Sequence, residues 1–188
     1  MFTSVWIEFA NDVDDEKQLL KMLRGELRTG LNRVKGSLKR AVYVIRMTGD
    51  FVIAYEKRNS PVLYIGRGNC SQRLAAHLKN WLHEVRGFGS KVGLEIRVAS
   101  PRRQKREDYF KNVEADLLLD FAKEHGALPF FNKRYEHSFQ KKCVHRPEDK
   151  KKMRSAILIG SGNKPLWALK PTKANKAFAT FLSGEHFE

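Results

Sequence analysis

Residues 2–9 alternate in polarity: Val5, Ile7 and Phe9 fall on one side, Ser4, Trp6 and Glu8 on the other. That period of two predicts a strand with one buried face. Asp14 or Asp15 then caps a helix whose apolar positions are Leu20, Leu23, Leu27, Leu31, Val34 and Leu38. Gly25, Gly30 and Gly36 predict that it is broken into pieces. From Ala41 the pattern turns to strands. Two, over 41–47 and 51–55, flank Thr48-Gly49-Asp50 as a hairpin, and a third spans 61–65. A helix over 70–86 carries the stripe Leu74, Leu78, Leu82 and Val85, and Gly87-Phe88-Gly89 ends it. Val92 to Ala99 reads as another strand. Ser100-Pro101 then opens a long helix, serine as cap and proline at the first position, that runs to His125 and stops at Gly126. The last fifty residues hold Lys150-Lys151-Lys152, an apolar pair of strands around Ser161-Gly162-Asn163, and a final helix near 172–182.

Charge narrows the partners. The chain of 188 residues carries a net +15, and residues 1–16 hold five acids and no base, so residues 17–188 carry +20. Without a lysine-rich tail to explain it, this excess is the electrostatic footprint of a polyphosphate binder. No window reaches the length and apolarity of a membrane span, and the N-terminus lacks the basic and apolar regions of a signal peptide. Cys70 and Cys143 are the two cysteines, too few for a disulfide framework. A cytoplasmic protein is the expectation. Cys143, His145 and His137 have zinc-ligand chemistry, but three such residues at that spacing are usually unrelated.

Candidate chemistry concentrates in the middle of the chain. Glu114 falls between Phe121 and Leu118 on the helical wheel, inside the apolar arc of its helix. A carboxylate aimed at a core is costly unless a cation or donor meets it, so it either holds a metal against a phosphate, or sits at the edge of the arc and reaches out to water or pairs with a structural arginine. Arg73 and His77 are one turn apart on a helix that follows a glycine turn, Gly66-Arg67-Gly68. Arginine suits a phosphate, and a histidine beside it relays a proton or accepts a bond from a tyrosine; an exposed basic pair facing DNA is the plainer reading. Asn69 and Gln72 resemble a capping box, and a helix N-terminus there suits phosphate. The loop lacks the lysine and hydroxyl of a Walker motif. Tyr43 and Tyr64 sit in strands, where a tyrosine is most often core. To accept a water's proton, either needs its pKa lowered by a metal, arginine or histidine.

Jointly, these residues resemble the GIY-YIG nuclease family over 41–132. Tyr64-Ile65-Gly66 keeps the second motif, while Ala41-Val42-Tyr43 keeps only the tyrosine of the first. Arg67, Arg73, His77, Glu114 and Pro129 with Asn132 match further family positions in order. The tyrosines stand 21 residues apart, longer than is usual in the family, so residues 47–60 are expected to form an extended hairpin. The resemblance implies an α+β fold, a small mixed or antiparallel sheet flanked by helices, as a core at 41–135 with extensions at 1–40 and 136–188. It also implies one-metal hydrolysis of DNA with Mg²⁺ or Mn²⁺. Tyr43 would be the general base helped by His77, and Tyr64 would orient water or phosphate. Arg67 and Arg73 would neutralise the phosphate, Glu114 would hold the metal, and Asn132 would brace the site.

A freestanding chain with basic additions, nine bases against three acids between Lys133 and Arg154, fits a restriction-type enzyme. Two alternatives stand beside it: a structure-selective repair or recombination nuclease, and a nuclease-like fold kept only for binding nucleic acid. A homodimer follows only for the restriction reading, since cutting both strands takes two active sites.

Overall fold

The computed structural model describes residues 2–9, 13–88, 92–104, 106–132, 144–159 and 165–170. The N-terminal alternating segment forms strand β1 (Thr3–Glu8), and its partner is not the next strand in sequence but β6 (Gly93–Ala99). With β2 (Ala41–Thr48) and β5 (Val62–Gly68) these make a four-stranded antiparallel sheet, ordered β1-β6-β2-β5. Residues 41–47 are all buried, as befits an inner strand covered on both faces. The fold is α+β, with the sheet flanked by helices.

Asp15 caps α1 (Glu16–Leu31), its carboxylate accepting from Lys17 N–H at 2.9 Å. The helix runs unbroken through Gly25 and Gly30 but stops at Leu31, and beyond Gly36, at φ 114°, Leu38 lies in a separate 3-10 turn (Leu38–Arg40); the expected break therefore falls after Leu31 and not at the first two glycines. Leu19, Leu23, Leu27 and Leu31 bury a continuous stripe that outweighs the roughly 1 kcal/mol a mid-helix glycine costs; Leu19 takes the place expected for Leu20. Gly30 is there for packing, since a Cβ would lie 2.2 Å from Val5 Cγ1 on β1.

Thr48-Gly49-Asp50 does turn the chain, with Gly49 at φ 88°. However, it does not join a hairpin. β3 (Phe51–Ala54) leaves the main sheet and pairs antiparallel with β4 (Asn59–Ser60) and parallel with β7 (Trp167–Leu169). The long insert between the tyrosine motifs is thus an excursion with its own small sheet, closed by a bulge at Ile45/Arg46 where β2 meets β5.

The stripe Leu74, Leu78, Leu82 and Val85 is buried, but it spans two elements: α2 (Cys70–Asn80), then a 3-10 segment, Leu82–Phe88. The long helix α3 (Tyr109–His125) starts eight residues later than Ser100-Pro101 suggested. Four bases in the five residues 102–106 repel one another at helical spacing, and the Ser100 hydroxyl accepts the Ser37 N–H at 3.1 Å instead of capping. Gly126, at φ 82°, ends α3 as expected.

Residues expected to lead into a strand pair form a helix, α4 (Pro147–Ile157), with proline at its start and Glu148 and Asp149 in the first turn. Its C-terminal carbonyls are gripped by two arginines of the sheet. Arg46, 3% exposed, donates to Ala156 O at 2.5 Å and Leu158 O at 2.9 Å, and Arg97 donates to Ser155 O at 2.6 Å. Glu95 sits between both guanidiniums, which hold its carboxyl below the ordinary range against the opposing effect of burial. The turn at 161–164 and the helix near 172–182 lie outside the described residues. No helix among the described residues is long and apolar enough to cross a membrane.

Candidate active site

Register brings the two tyrosine motifs together. Tyr43 on β2 lies opposite Gly66 on β5, and Ile45 lies opposite Tyr64, so both tyrosines share one face of the sheet. Their rings stack at 6.1 Å with 28° between planes. Gly66 leaves the room for this: a Cβ there would come within 2.5 Å of the Tyr64 ring and 2.7 Å of the Tyr43 hydroxyl. The chain then turns at Gly68 into α2, where Asn69 accepts the Gln72 N–H at 3.4 Å, the cap expected from sequence.

α2 lays Arg73 and His77 over the tyrosines. Arg73 Nε donates to the Tyr43 hydroxyl at 3.1 Å and its Nη2 to the Tyr64 hydroxyl at 3.2 Å. His77 Nε2 is 3.1 Å from the same Tyr43 oxygen, and Trp81 Nε1 is 3.1 Å from His77 Nδ1. An indole N–H can only donate, so His77 Nδ1 accepts, and the neutral ring carries its proton on Nε2. His77 therefore donates to Tyr43 and does not accept from it. Burial, with Arg73 adding to it, pulls the His77 pKa down to about 4, which keeps the ring neutral.

The Tyr43 oxygen thus receives two N–H donors, and its own proton must point elsewhere. Tyr43 is fully buried, whereas Tyr64 is partly exposed. Burial, and then the neighbouring Tyr64, push the Tyr43 hydroxyl well above its ordinary pKa; Arg73 pulls the other way and does not prevail. At rest this group is a phenol.

Arg67 and Glu114 form a second group. Strand alternation puts Arg67 with Ile65, on the face of β5 opposite Tyr64 and Gly66. There Arg67 Nη1 meets Glu114 Oε2 of α3 at 2.6 Å. Glu114 is 6% exposed, so the cation expected beside a buried carboxylate is here a guanidinium. Among the described residues no cluster of three or more His, Cys, Asp or Glu could hold a metal. The donor chemistry at Glu114 fits a Mg²⁺ that takes one carboxylate and completes its shell with water and phosphate oxygens.

β5 is the edge of the sheet, and Asn132 closes part of that edge. Its Oδ1 accepts the Ile65 N–H at 2.9 Å and its Nδ2 donates to Ile65 O at 2.8 Å, while Phe131 N–H reaches Leu63 O at 2.9 Å. The side-chain amide acts as one residue of a missing strand.

Tyr43, Tyr64, Arg73 and His77 are therefore one bonded cluster. Arg67 and Glu114 are a pair on the opposite face, and Asn132 is bonded to the strand between them. Trp81 is the residue the sequence reading missed. It stands four residues after His77 and stacks on Phe131 at 3.9 Å, so it links α2 to the Asn132 segment. His145, one of the zinc candidates, has both ring nitrogens engaged, Nδ1 with Tyr109 at 2.8 Å and Nε2 with Asp116 at 2.5 Å; Cys143 and His137 lie outside the described residues. Comparison of the chain with family models, curated proteins and solved structures gives no match.

Proposed function

We propose that this protein is a metal-dependent DNA endonuclease of the GIY-YIG type, acting as a restriction-type enzyme. The observation that carries the reading is Arg73, whose guanidinium bridges the hydroxyls of Tyr43 and Tyr64. A phosphodiester needs its transition-state charge neutralised and a water oriented for attack. Arg73 spends two of its five donors on the phenols, and its planar fork turns the rest toward a phosphate oxygen.

In this reading a strand of DNA crosses the edge of β5 beside the Gly66–Gly68 turn. Tyr64, the exposed hydroxyl, orients water or phosphate. Tyr43, once its phenolic proton has passed to solvent, would take the proton of the attacking water; the two N–H donors that address its oxygen favour that phenolate against the effect of burial. His77 is a positioning donor, not the acceptor that helps the base. Arg67 neutralises phosphate charge from the other face, and Glu114 would hold Mg²⁺ or Mn²⁺. When bound, that ion supplies Lewis-acid stabilisation of the developing charge.

A second reading, nucleic-acid binding without cleavage, draws on the complete burial of Tyr43 and the Arg67–Glu114 pair. One experiment separates the two: supercoiled plasmid incubated with the protein and Mg²⁺, with Arg73→Ala in parallel. Discrete fragments that vanish in the variant support restriction-type cleavage. A smear, or preference for branched substrates, moves the role to repair. Tight binding with no cutting under any divalent ion overturns the nuclease reading.

A further inference from the structure

A second basic feature lies at the same end of the sheet as the candidate site. A cleft of about 460 Å³ is lined by Arg40, Arg102, Arg103 and Arg106 with Ser37 and Ser100, and Glu107 is its acid. All four arginines are exposed. Arg40 pairs with Glu107 at 3.0 Å, both ends well exposed, so solvent screens that pair and an entering anion exchanges with it at little cost. Arg103 is steered by the Val144 carbonyl at 3.3 Å and by the Tyr109 ring at 5.8 Å.

The floor of the cleft is built and not improvised. Gly36, at φ 114°, turns the chain where a Cβ would strike the Ser100 side chain at 2.7 Å, and the Ser37 N–H is bonded to the Ser100 hydroxyl. This latch fixes the segment before β2 against the segment after β6. The run of four bases in residues 102–106, which keeps α3 from starting earlier, supplies three of the cleft's four arginines.

Register gives its distance from Arg67, the arginine on the face of β5 opposite the tyrosines. Val42 on β2 is flanked by Arg67 of β5 on one side and by Ala99 of β6 on the other. Ser100 follows Ala99, and Arg40 precedes Ala41, which lies opposite Gly68. The cleft therefore opens two strand spacings, about 10 Å, from Arg67 across the same sheet end. Guanidiniums bind phosphates by a two-pronged fork, and an array of them at the same end of the sheet as a candidate phosphate site suits a polyanion that is longer than either site.

We propose that this arginine cleft is a backbone-phosphate subsite for the DNA strand that reaches the tyrosine cluster, positioning the nucleic acid without reading its sequence. The proposal rests on the nucleic-acid reading given above, but not on cleavage. It is tested by fluorescence anisotropy of a labelled DNA duplex of about 20 base pairs in EDTA, titrated over a series of KCl concentrations. The variant is Arg102→Gln with Arg106→Gln. The control, Lys17→Gln with Lys21→Gln, removes the same charge from exposed positions at the start of α1.

The cleft variant is expected to weaken binding about tenfold near 0.1 M KCl and to lower the slope of log Kd against log salt by about two, whereas the control keeps the wild-type slope. Equal changes in variant and control would overturn the subsite, since net charge alone would then explain both. Pyrophosphate is added as a competitor in the same titration, and a slope left intact while the variant loses that competition would also overturn the subsite, marking a small-anion pocket. A protein that shows the slope change yet never cuts plasmid leaves this subsite standing and removes the nuclease reading. One that cuts with an unchanged slope does the reverse.

Discussion

The indole N–H of Trp81 points at Nδ1 of His77, 3.1 Å away, and so decides which nitrogen of that histidine carries the proton. The consequence reaches Tyr43, whose oxygen then accepts from His77 and Arg73 together. Trp81→Phe keeps a ring against Phe131 and removes the donor. His77 is then released to sample both tautomers, and cleavage is expected to slow by about tenfold in kcat with KM little changed. Nitrogen chemical shifts of the His77 ring read the tautomer directly, which a loss of packing alone would leave on Nε2.

The two tyrosines differ in burial, and that difference predicts different kinetics. Tyr43→Phe removes the hydroxyl addressed by two donors, and cleavage is expected to fall by about 10²–10⁴, far more than for Tyr64→Phe. Because burial raises the Tyr43 pKa, the phenolate that the proposed mechanism requires grows with pH across the whole neutral range. Log kcat/KM is therefore expected to climb steadily to pH 10 in the wild type. A plateau reached below pH 8 would reassign the base.

Asn132 is bonded through both ends of its amide to the backbone of Ile65. Asn132→Ala leaves one buried N–H and one C=O on an edge strand without those partners, a loss of about 2 kcal/mol in unfolding free energy. Asn132→Asp restores the acceptor and not the donor, so it should recover at most part of that loss. Urea denaturation of the two variants checks the order; equal stability of Asn132→Ala and wild type would sink the bracing role.

Some of this arrangement is legible in the sequence because it is local. The cap at Asn69, the i, i+4 pair Arg73 and His77, and the buried position of Glu114 all follow from period and residue type. The separation of Arg67 from Tyr64 is legible too, since residues three apart in a strand face opposite ways, yet grouping both with the helix residues hides it. Trp81 is harder, because a tryptophan in line with Leu74 and Leu78 reads as core until its partner is seen. The pairing of β3 with β7, whose partners stand 116 residues apart, leaves no local mark. Nor does the grip of Arg46 on α4, because an arginine in an apolar strand gives no sign of which carbonyls will meet it.

Glu114 and Arg67 balance each other on the far face of β5, so removing either alone has unequal costs. Arg67→Met takes the cation from a carboxylate that is 6% exposed and is expected to cost about 3 kcal/mol. Glu114→Gln keeps the shape, removes the charge and should cost less than half of that. Both are expected to abolish cleavage while DNA binding in EDTA changes less than threefold for Glu114→Gln. Full activity of Glu114→Gln would take the residue out of the metal site.

Two histidines are expected to make the fold sensitive to acid. Burial depresses both His77 and His125 to about 4; Arg73 adds to the effect at His77, whereas a hydrogen bond to the Phe121 carbonyl partly opposes it at His125. In the unfolded chain both titrate near 6.5. Above that pH neither state binds the extra protons and the histidines leave stability unchanged with pH. As pH falls from about 6.5 to 4 the unfolded chain gains protons that the folded one refuses, so stability is lost across that window. The urea midpoint is expected to fall steadily over it. His125→Phe keeps a ring stacked on Phe121, removes one titrating group and should flatten the slope by about half. A midpoint that is constant from pH 6.5 to 4.5 in the wild type would show that the two rings take up protons in place.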